Sequence, residues 1–288
     1  MKIKFQSLIA VALFFAIVMM SSCKKEGSTQ APEVNDEEAQ TISTENEIAE
    51  AEYDDVTEIG LSVGADLETA VEESGGEIPM QARTTTGISV KVDFFLNLYY
   101  KVGPCTKITV EPNDGSFPKT VTIDYGDGCL CRDGKFRKGA VVLHFSGPIR
   151  RAGSELAISF RDFYVNRVHV EGKITISNLT ENGALKYSVQ VSDGKVTWPS
   201  GRGFSFVGLK VVTQIEGMDT RIIRDDVFSI EGRSKTTYAN GIVVTKNTET
   251  PLIKPVKCPF IVQGKLKIKI NAREFFIDFG TGECDNKA

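Results

Sequence analysis

The chain has 288 residues, of which 41% are hydrophobic and 25% charged, and its formal net charge is −4. This balance argues against a basic nucleic-acid-binding protein, so we expect no nucleic-acid partner. Only two histidines are present, which leaves the chain poorly supplied for acid–base catalysis, where histidine is the most frequent group.

The residues from Met1 to Ser22 predict a lipoprotein signal peptide. Two lysines precede the almost wholly apolar run Phe5 to Met20, which is too short and wrongly flanked for a membrane span. Small serines stand directly before Cys23, so signal peptidase II would cleave there and Cys23 would be acylated. Several acyl chains anchor a protein stably. We expect attachment to the outer membrane, on its surface or periplasmic face; the alternative is an ordinary signal peptide with a chance cysteine.

The segment after Cys23 is strongly acidic. Residues 24–80 contain two basic residues against seventeen acidic ones, whereas residues 81–288 contain thirty against twenty-one. A segment with few apolar residues and a high negative charge cannot bury enough surface to order itself. We therefore expect residues 23–84 to form a largely disordered tether. Residues 48–71 are compatible with a short helical stretch, although Gly60 and Gly64 weaken it.

From about residue 85 onward the pattern is that of β-strands. Runs such as Lys265 to Ile270 and Arg167 to Ser177 alternate apolar and polar residues, which predicts a sheet with one buried face. Asn-Gly and Asp-Gly pairs predict hairpin turns, most clearly at Asp193-Gly194. We predict one all-β domain over residues 85–288, an antiparallel meander of roughly eleven to thirteen strands that forms a sandwich or a curled half-barrel.

Five cysteines follow the lipidated one, and the oxidising compartment permits disulfides. A hairpin would carry the chain from the first cysteine back toward the second and third, so that a bridge to either is plausible. The last two bracket the final strands in the same way. One cysteine is left over, in a Cys-x-Cys pair that also resembles a metal or redox element, although no Cys-x-x-Cys zinc spacing exists. The candidates for disulfides are Cys105, Cys129, Cys131, Cys258 and Cys284.

The segments IDYGDGC, near residue 123, and IDFGTGEC, near residue 277, suggest either a metal site or a turn. Asp124, Asp127 and Asp133 could bind calcium if they gathered on one loop. The EF-hand pattern fails, because its third and fifth positions are glycines here. The second copy has Thr281 in place of Asp127, although a ligand position should not vary between copies. We therefore favour a turn pinned by a cysteine.

No motif predicts catalysis. His144 and His169 share strand parity with polar residues, which places both on a solvent-exposed face. There is no nucleophile elbow, zinc-binding His pair or phosphate loop, and we expect no cofactor. The neighbouring carboxylates of Asp225 and Asp226 would point to opposite faces of a strand, which argues against a glycosidase pair there; a cross-strand pair stays open.

A basic, aromatic-bearing surface is the remaining candidate site. A cationic face with an exposed aromatic side chain suits an anionic glycan. The alternative is a solvated face whose charges keep strand edges from pairing. The candidate residues are Trp198, Arg202, Lys265, Lys267 and Lys269.

Several segments of the body, among them GPCTKIT, FPKTVTIDYGDGC, RKGAVVLHFSG, FYVNRVHVEGK and IDFGTGECDNKA, resemble a group of β-rich lipoproteins common in Bacteroidota. The resemblance implies an outer-membrane lipoprotein with an antiparallel β body, and it implies no activity. The extra Cys131 and the end at Ala288 depart from the pattern of the group.

These observations favour a non-catalytic binding or structural protein of the outer membrane or cell surface. Its expected partners are the membrane, through the lipid anchor, and an anionic glycan or other envelope proteins. One alternative is a cell-surface carbohydrate-active enzyme, which would show two facing carboxylates in a cleft. The other is a periplasm-facing carrier of lipid or lipoprotein, which would show an apolar concave cavity.

Overall fold

The structure is a computed structural model that describes residues 32–74, 102–103, 105–219 and 225–285. Within this part, everything from Glu33 onward belongs to one compact unit. The signal peptide, Cys23, the last part of the expected tether and the first residues of the expected β domain lie outside the described residues. Predictions about them remain predictions.

Among the described residues, twelve antiparallel strands form a single open sheet in the order β1-β2-β4-β5-β6-β7-β8-β9-β10-β11-β12, with β3 paired to β4. The predicted antiparallel meander is thereby confirmed. The strands are β1 Lys107–Glu111, β2 Lys119–Asp124, β3 Cys129–Leu130, β4 Phe136–Phe145, β5 Glu155–Val165, β6 Val168–Asn178, β7 Lys186–Thr197, β8 Gly203–Glu216, β9 Val227–Tyr238, β10 Val243–Pro255, β11 Gln263–Ile270 and β12 Arg273–Thr281.

Bulges bend the middle of the sheet. Asp193-Gly194, the clearest predicted hairpin turn, lies instead inside β7, where the pairing register shifts against both β6 and β8. Gly172 of β6 faces it so closely that a Cβ on Gly172 would lie 2.7 Å from the Cα of Gly194. Two glycines thus permit a contact that side chains would prevent, and a bulge of this kind bends and twists the strand that carries it.

One helix, α1 from Asp36 to Ser74, packs across one face of the sheet. We call this face the inner face and the opposite one the outer face. The helix makes contacts from β4, through Arg137, to β12, through Arg273. A single helix reaches strands this far apart in the sheet because the sheet curls around it. The arrangement matches the curled half-barrel among the predicted alternatives.

The tether assignment is wrong for residues 36–74, which form α1. The high average charge of this segment gave no sign that its apolar residues recur with helical spacing. The buried members of this apolar stripe include Ile42, Ala49, Tyr53, Val56, Val63 and Leu67. Such a stripe stabilises a helix once a second apolar surface covers it. The Asn35 carboxamide oxygen accepts a hydrogen bond from the Glu38 backbone N–H, 2.8 Å away, and so caps the N-terminus.

Among the described residues, no helix is both long enough and apolar enough to cross a membrane.

Candidate functional site

A cavity of about 300 Å³ opens between α1 and the inner face of strands β7 to β12. The helix packs most closely against β5 and β6, so the far half of the inner face is only partly covered. Most of the cavity wall is apolar, contributed by Val189, Val191, Phe206, Ile230, Leu252, Ile261, Leu266 and Phe279.

The cavity exists because small residues occupy the inward-facing positions of three adjacent strands. Gly208 on β8 lies directly across from Ser234 on β9, and Gly232 lies across from Lys210. Thr248 continues the small residues onto β10. Side chains of ordinary core size at these positions would fill the space. The cavity is therefore a product of residue choice at paired positions on neighbouring strands.

Charged groups line the cavity on the helix side. The Glu50 carboxylate lies 3.3 Å from the Lys246 ammonium and accepts a hydrogen bond of 2.9 Å from the Ser234 hydroxyl. Asp54, one helical turn later, pairs with Lys210. Each carboxylate of the helix thus meets a lysine of the sheet, as a buried or half-buried charge requires. The cavity consequently has one polar edge and apolar walls elsewhere.

Tyr53 joins the helix to the cavity wall. Its ring stacks on Phe206 with a centroid distance of 5.2 Å, and its hydroxyl donates a 2.8 Å hydrogen bond to the Glu171 carbonyl oxygen on β6. Burial raises the pKa of the Tyr53 hydroxyl far above its usual range, so the group stays a neutral donor at every physiological pH. Tyr53 thereby fixes the distance between α1 and the sheet beside the cavity.

A second cluster holds the opposite side of the helix. The side chain of Arg137 on β4 is 1% exposed and lies 2.5 Å from the Asp55 carboxylate and 2.6 Å from that of Asp133. Burial alone would lower the pKa of Arg137, but its hydrogen bonds to Asp133, Cys131 and Asp55 raise the pKa overall. Lys135 adds a 3.0 Å ion pair to Glu52. These charges tie the acidic helix to the basic sheet.

The predicted ligand surface does not form a single site. Trp198 packs against Phe204 at a ring distance of 5.4 Å. Arg202 pairs with Glu45 of the helix at 3.1 Å and lies over the Tyr238 ring. Both residues therefore tie the β7–β8 connection to the helix and its surroundings.

The three predicted lysines lie on the outer face of β11, with strands β8 to β10 between them and the β7–β8 connection. Lys265 lies 3.0 Å from Asp278, while Lys267 and Lys269 share Glu274 at 3.1 and 3.8 Å. All three thus pair with carboxylates of β12.

The cysteines pair as hairpin geometry suggested. Disulfides join Cys105 to Cys129 and Cys258 to Cys284. Cys131 is free and buried, and its thiol donates to the Val102 carbonyl oxygen at 3.2 Å. Burial raises the pKa of the Cys131 thiol, which keeps it protonated and poorly nucleophilic.

The IDYGDGC segment forms a turn after β2, whereas the first five residues of IDFGTGEC, up to Thr281, lie in β12. The Asp124 carboxylate accepts a 2.8 Å hydrogen bond from the Gly126 N–H, and that of Asp278 accepts one of 3.1 Å from Gly280. The turn interpretation is confirmed for the first segment, which Cys129 follows, and is wrong for the second, where β12 continues and its pairing with β11 shifts in register between Asp278 and Thr281. Asp133 caps the Lys135 N–H and pairs with Arg137, and Asp127 is exposed. In the described part of the chain, no three His, Cys, Asp or Glu residues gather into a metal-binding group.

The histidines and the acidic pair have local partners. The His144 ring lies 3.1 Å from the Thr120 hydroxyl, and that of His169 stacks on Tyr164 at 4.4 Å. Asp226 accepts a 2.9 Å hydrogen bond from Gln214. His144, His169 and Asp226 are not among the residues that line the cavity.

The cavity residues Glu50, Tyr53, Asp54, Lys210 and Lys246 were all absent from the sequence-based candidates. The signal that could have revealed the first three is the helical spacing of apolar residues in the acidic segment. Comparisons of the chain with protein-family models, curated proteins and solved structures found no match. The site is accordingly interpreted from its geometry.

Proposed function

We propose that this protein is a non-catalytic, lipid-anchored protein of the bacterial envelope that binds a single-chain amphiphile, such as a fatty acid, beside α1. The observation that supports this function is the apolar cavity between the helix and strands β7 to β12. This function combines the expected binding role with the lipid-binding alternative, whose distinguishing feature was an apolar concave cavity.

The cavity matches the chemistry of one acyl chain. Each buried methylene group contributes about 0.8 kcal/mol to binding, and the walls offer mainly aliphatic and aromatic carbon. The volume lies at the lower end of the range of roughly 300–1,000 Å³ for small-molecule sites. This size favours one chain over a diacyl lipid. The edge that carries Lys210 and Lys246 provides a polar environment for the head group.

The carbohydrate-active alternative receives no support from this cavity. A glycosidase needs two carboxylates that flank the scissile bond across a cleft. The carboxylates here, Glu50 and Asp54, both belong to α1 and stand on the same side of the cavity. Each is also engaged by a lysine.

A binding titration with a matched pair of variants tests the proposal. The chain from Lys24 onward contains the whole compact unit and would be titrated with dansyl-labelled undecanoic acid, followed by displacement with dodecanoic acid. We expect saturable fluorescence enhancement and displacement. Gly208→Leu places a side chain in the cavity and should weaken binding at least about tenfold. Val207→Leu changes the neighbouring outer-face residue and should leave binding unchanged.

Equal affinity in the unsubstituted protein and Gly208→Leu would contradict the proposal, as would the absence of saturable binding. If Gly208→Leu does not fold, Ile230→Gln replaces it, because this change puts a polar group into the apolar wall without adding bulk. Melting curves of all variants show which proteins are folded.

A further inference from the structure

A second concavity of about 450 Å³ lies on the outer face of the sheet, over strands β7 to β10. Its lining shares five residues of β7 to β9 with the lining of the first cavity, because the same strands form both walls: Val191, Gly208, Leu209, Arg233 and Ser234. The remaining residues of the two linings differ in chemistry. The lining of the second concavity combines cationic, amide and hydroxyl side chains with three aliphatic residues. We call this concavity the outer groove.

Two neighbouring cross-strand rows make up the outer groove. In one row, Leu209 pairs with Arg233, which pairs with Asn247. In the other row, Val207 pairs with Lys235, which pairs with Thr245. Each row thus places an aliphatic, a cationic and a polar side chain next to one another.

Further cations border both ends of these rows. Lys267 lies opposite Asn247 and Lys269 opposite Thr245 on β11. On the other side, Lys173 of β6 lies opposite Ser192, which lines the groove. The three lysines occupy the same outer face. Lys267 and Lys269 share the single carboxylate of Glu274, so their positive charge is only partly neutralised.

The two central cations are not neutralised by neighbours. Arg233 and Lys235 are exposed, and none of the ion pairs among the described residues involves either of them. The nearest acidic residue along β9, Glu231, lies in another cross-strand row, opposite Val211. These two cations lie side by side in neighbouring rows of the groove, which makes them available to bind one anion together.

We propose that the outer groove binds an anionic saccharide. Arg233 presents a planar fork of N–H donors that matches a carboxylate or sulfate, and Lys235 adds a point charge. The amides of Gln190 and Asn247 and the hydroxyl of Thr245 suit sugar hydroxyl groups, while Val207 offers an aliphatic surface to the C–H face of a sugar ring. This site is independent of the inner cavity and goes beyond the proposed amphiphile binding.

The site also revises the sequence-based candidate surface. The alternation in β11 drew attention to its three lysines, but these pair with carboxylates of β12. The cations without such partners lie two strands away, on β9. The proposed ligand is still an anionic glycan, but the residues proposed to bind it are now Arg233 and Lys235.

Calorimetric titration with charged and uncharged saccharides tests this inference. The chain from Lys24 onward would be titrated with tetragalacturonic acid, a heparin-derived tetrasaccharide and uncharged maltotetraose. We expect binding of at least one anionic saccharide, no binding of maltotetraose, and an affinity that falls as salt is added. The double variant Arg233→Gln/Lys235→Gln should weaken that binding at least about tenfold.

The matched control is Lys107→Gln/Lys186→Gln, which removes the same charge from two exposed residues outside the groove. Its affinity should stay within about twofold of that of the unsubstituted protein. Three results would overturn the proposal: no binding of either anionic saccharide, unchanged binding in the groove variant, or an equal loss in the control. Gly208→Leu separates the two sites, because a side chain added to Gly208 points toward Phe206 and Ser234 on the inner face and should weaken fatty-acid binding only.

Discussion

Gly60 of α1 lies directly against Ile158 of β5: a Cβ atom added to Gly60 would stand 2.9 Å from the Ile158 Cδ1 atom. Gly64, one turn later, has the same relationship to Ile149, at 2.7 Å. The two glycines that weakened the sequence-based case for a helix are thus positions where the helix packs tightly, since a Cβ on Gly64 would also stand 2.8 Å from Phe145 of β4. The far half of the inner face is only partly covered by the helix, and the cavity lies there.

Gly60→Val should destabilise the protein by about 1–3 kcal/mol. Overpacking of a tight contact costs this much and outweighs the gain of under about 1 kcal/mol in helix propensity. The free energy of unfolding, measured in urea, gives the value. Ala51→Val, at an exposed position of the same helix, should change it by less than about 0.7 kcal/mol. A stabilised Gly60→Val variant would show that α1 does not pack as described.

Asp55→Asn should lower the free energy of unfolding by about 1–3 kcal/mol, because it removes one charged partner from the buried Arg137 side chain. The Asp133 carboxylate remains and limits the loss. Glu58→Gln serves as the control, since Glu58 is exposed on the same helix and should contribute under about 0.5 kcal/mol. Equal, small effects of both changes would mean that Arg137 does not hold the helix.

The free energy of unfolding should fall in acid, and protonation of Asp133 should account for part of this loss. Burial alone would raise the pKa of Asp133, but hydrogen bonds from Arg137 and from the Lys135 N–H lower it further than burial raises it. A lowered pKa in the folded state contributes stability above the ordinary Asp value of about 3.9, and this contribution disappears as the pH falls through the lowered pKa. Urea unfolding between about pH 7 and pH 2 measures the loss.

Asp133→Asn should begin with a lower free energy of unfolding at neutral pH and show a shallower decline in acid. Parallel curves for the two proteins would refute the linkage between this carboxylate and stability.

Cys131 should resist a thiol reagent in the native protein. Its side chain is buried, and burial raises its pKa, so little thiolate is available to react. Ellman's reagent should report much less than one fast-reacting thiol per chain in buffer and one in urea. Rapid labelling without urea would contradict the buried position of Cys131.

The sequence allowed the sheet to be predicted because its signals are local. Alternation along β11 acts within a few residues, and that strand appeared where expected. The helix was missed because the charge of residues 24–80 was read as an average, whereas folding depends on the spacing of buried side chains such as Val56 and Val63. Their partner surface lies far along the chain.

The cavity and the outer groove were not predictable in the same way. Gly208 and Gly232 form a gap only because β8 and β9 pair in one particular register, and Arg233 joins Leu209 and Asn247 only through the same pairing. A single strand shows none of these neighbours. Asp193-Gly194 shows that a local signal can also mislead. The pair predicted a hairpin turn, but it forms a bulge inside β7, opposite Gly172 of β6.

The most direct test of amphiphile binding beside α1 is a crystal structure with 12-bromododecanoic acid, in which anomalous scattering locates the bromine atom. We expect one strong bromine peak among Ile230, Leu252 and Leu266, with the carboxylate of the ligand on the side of Lys210 and Lys246. A peak confined to the outer surface, or no peak at saturating ligand, would contradict it.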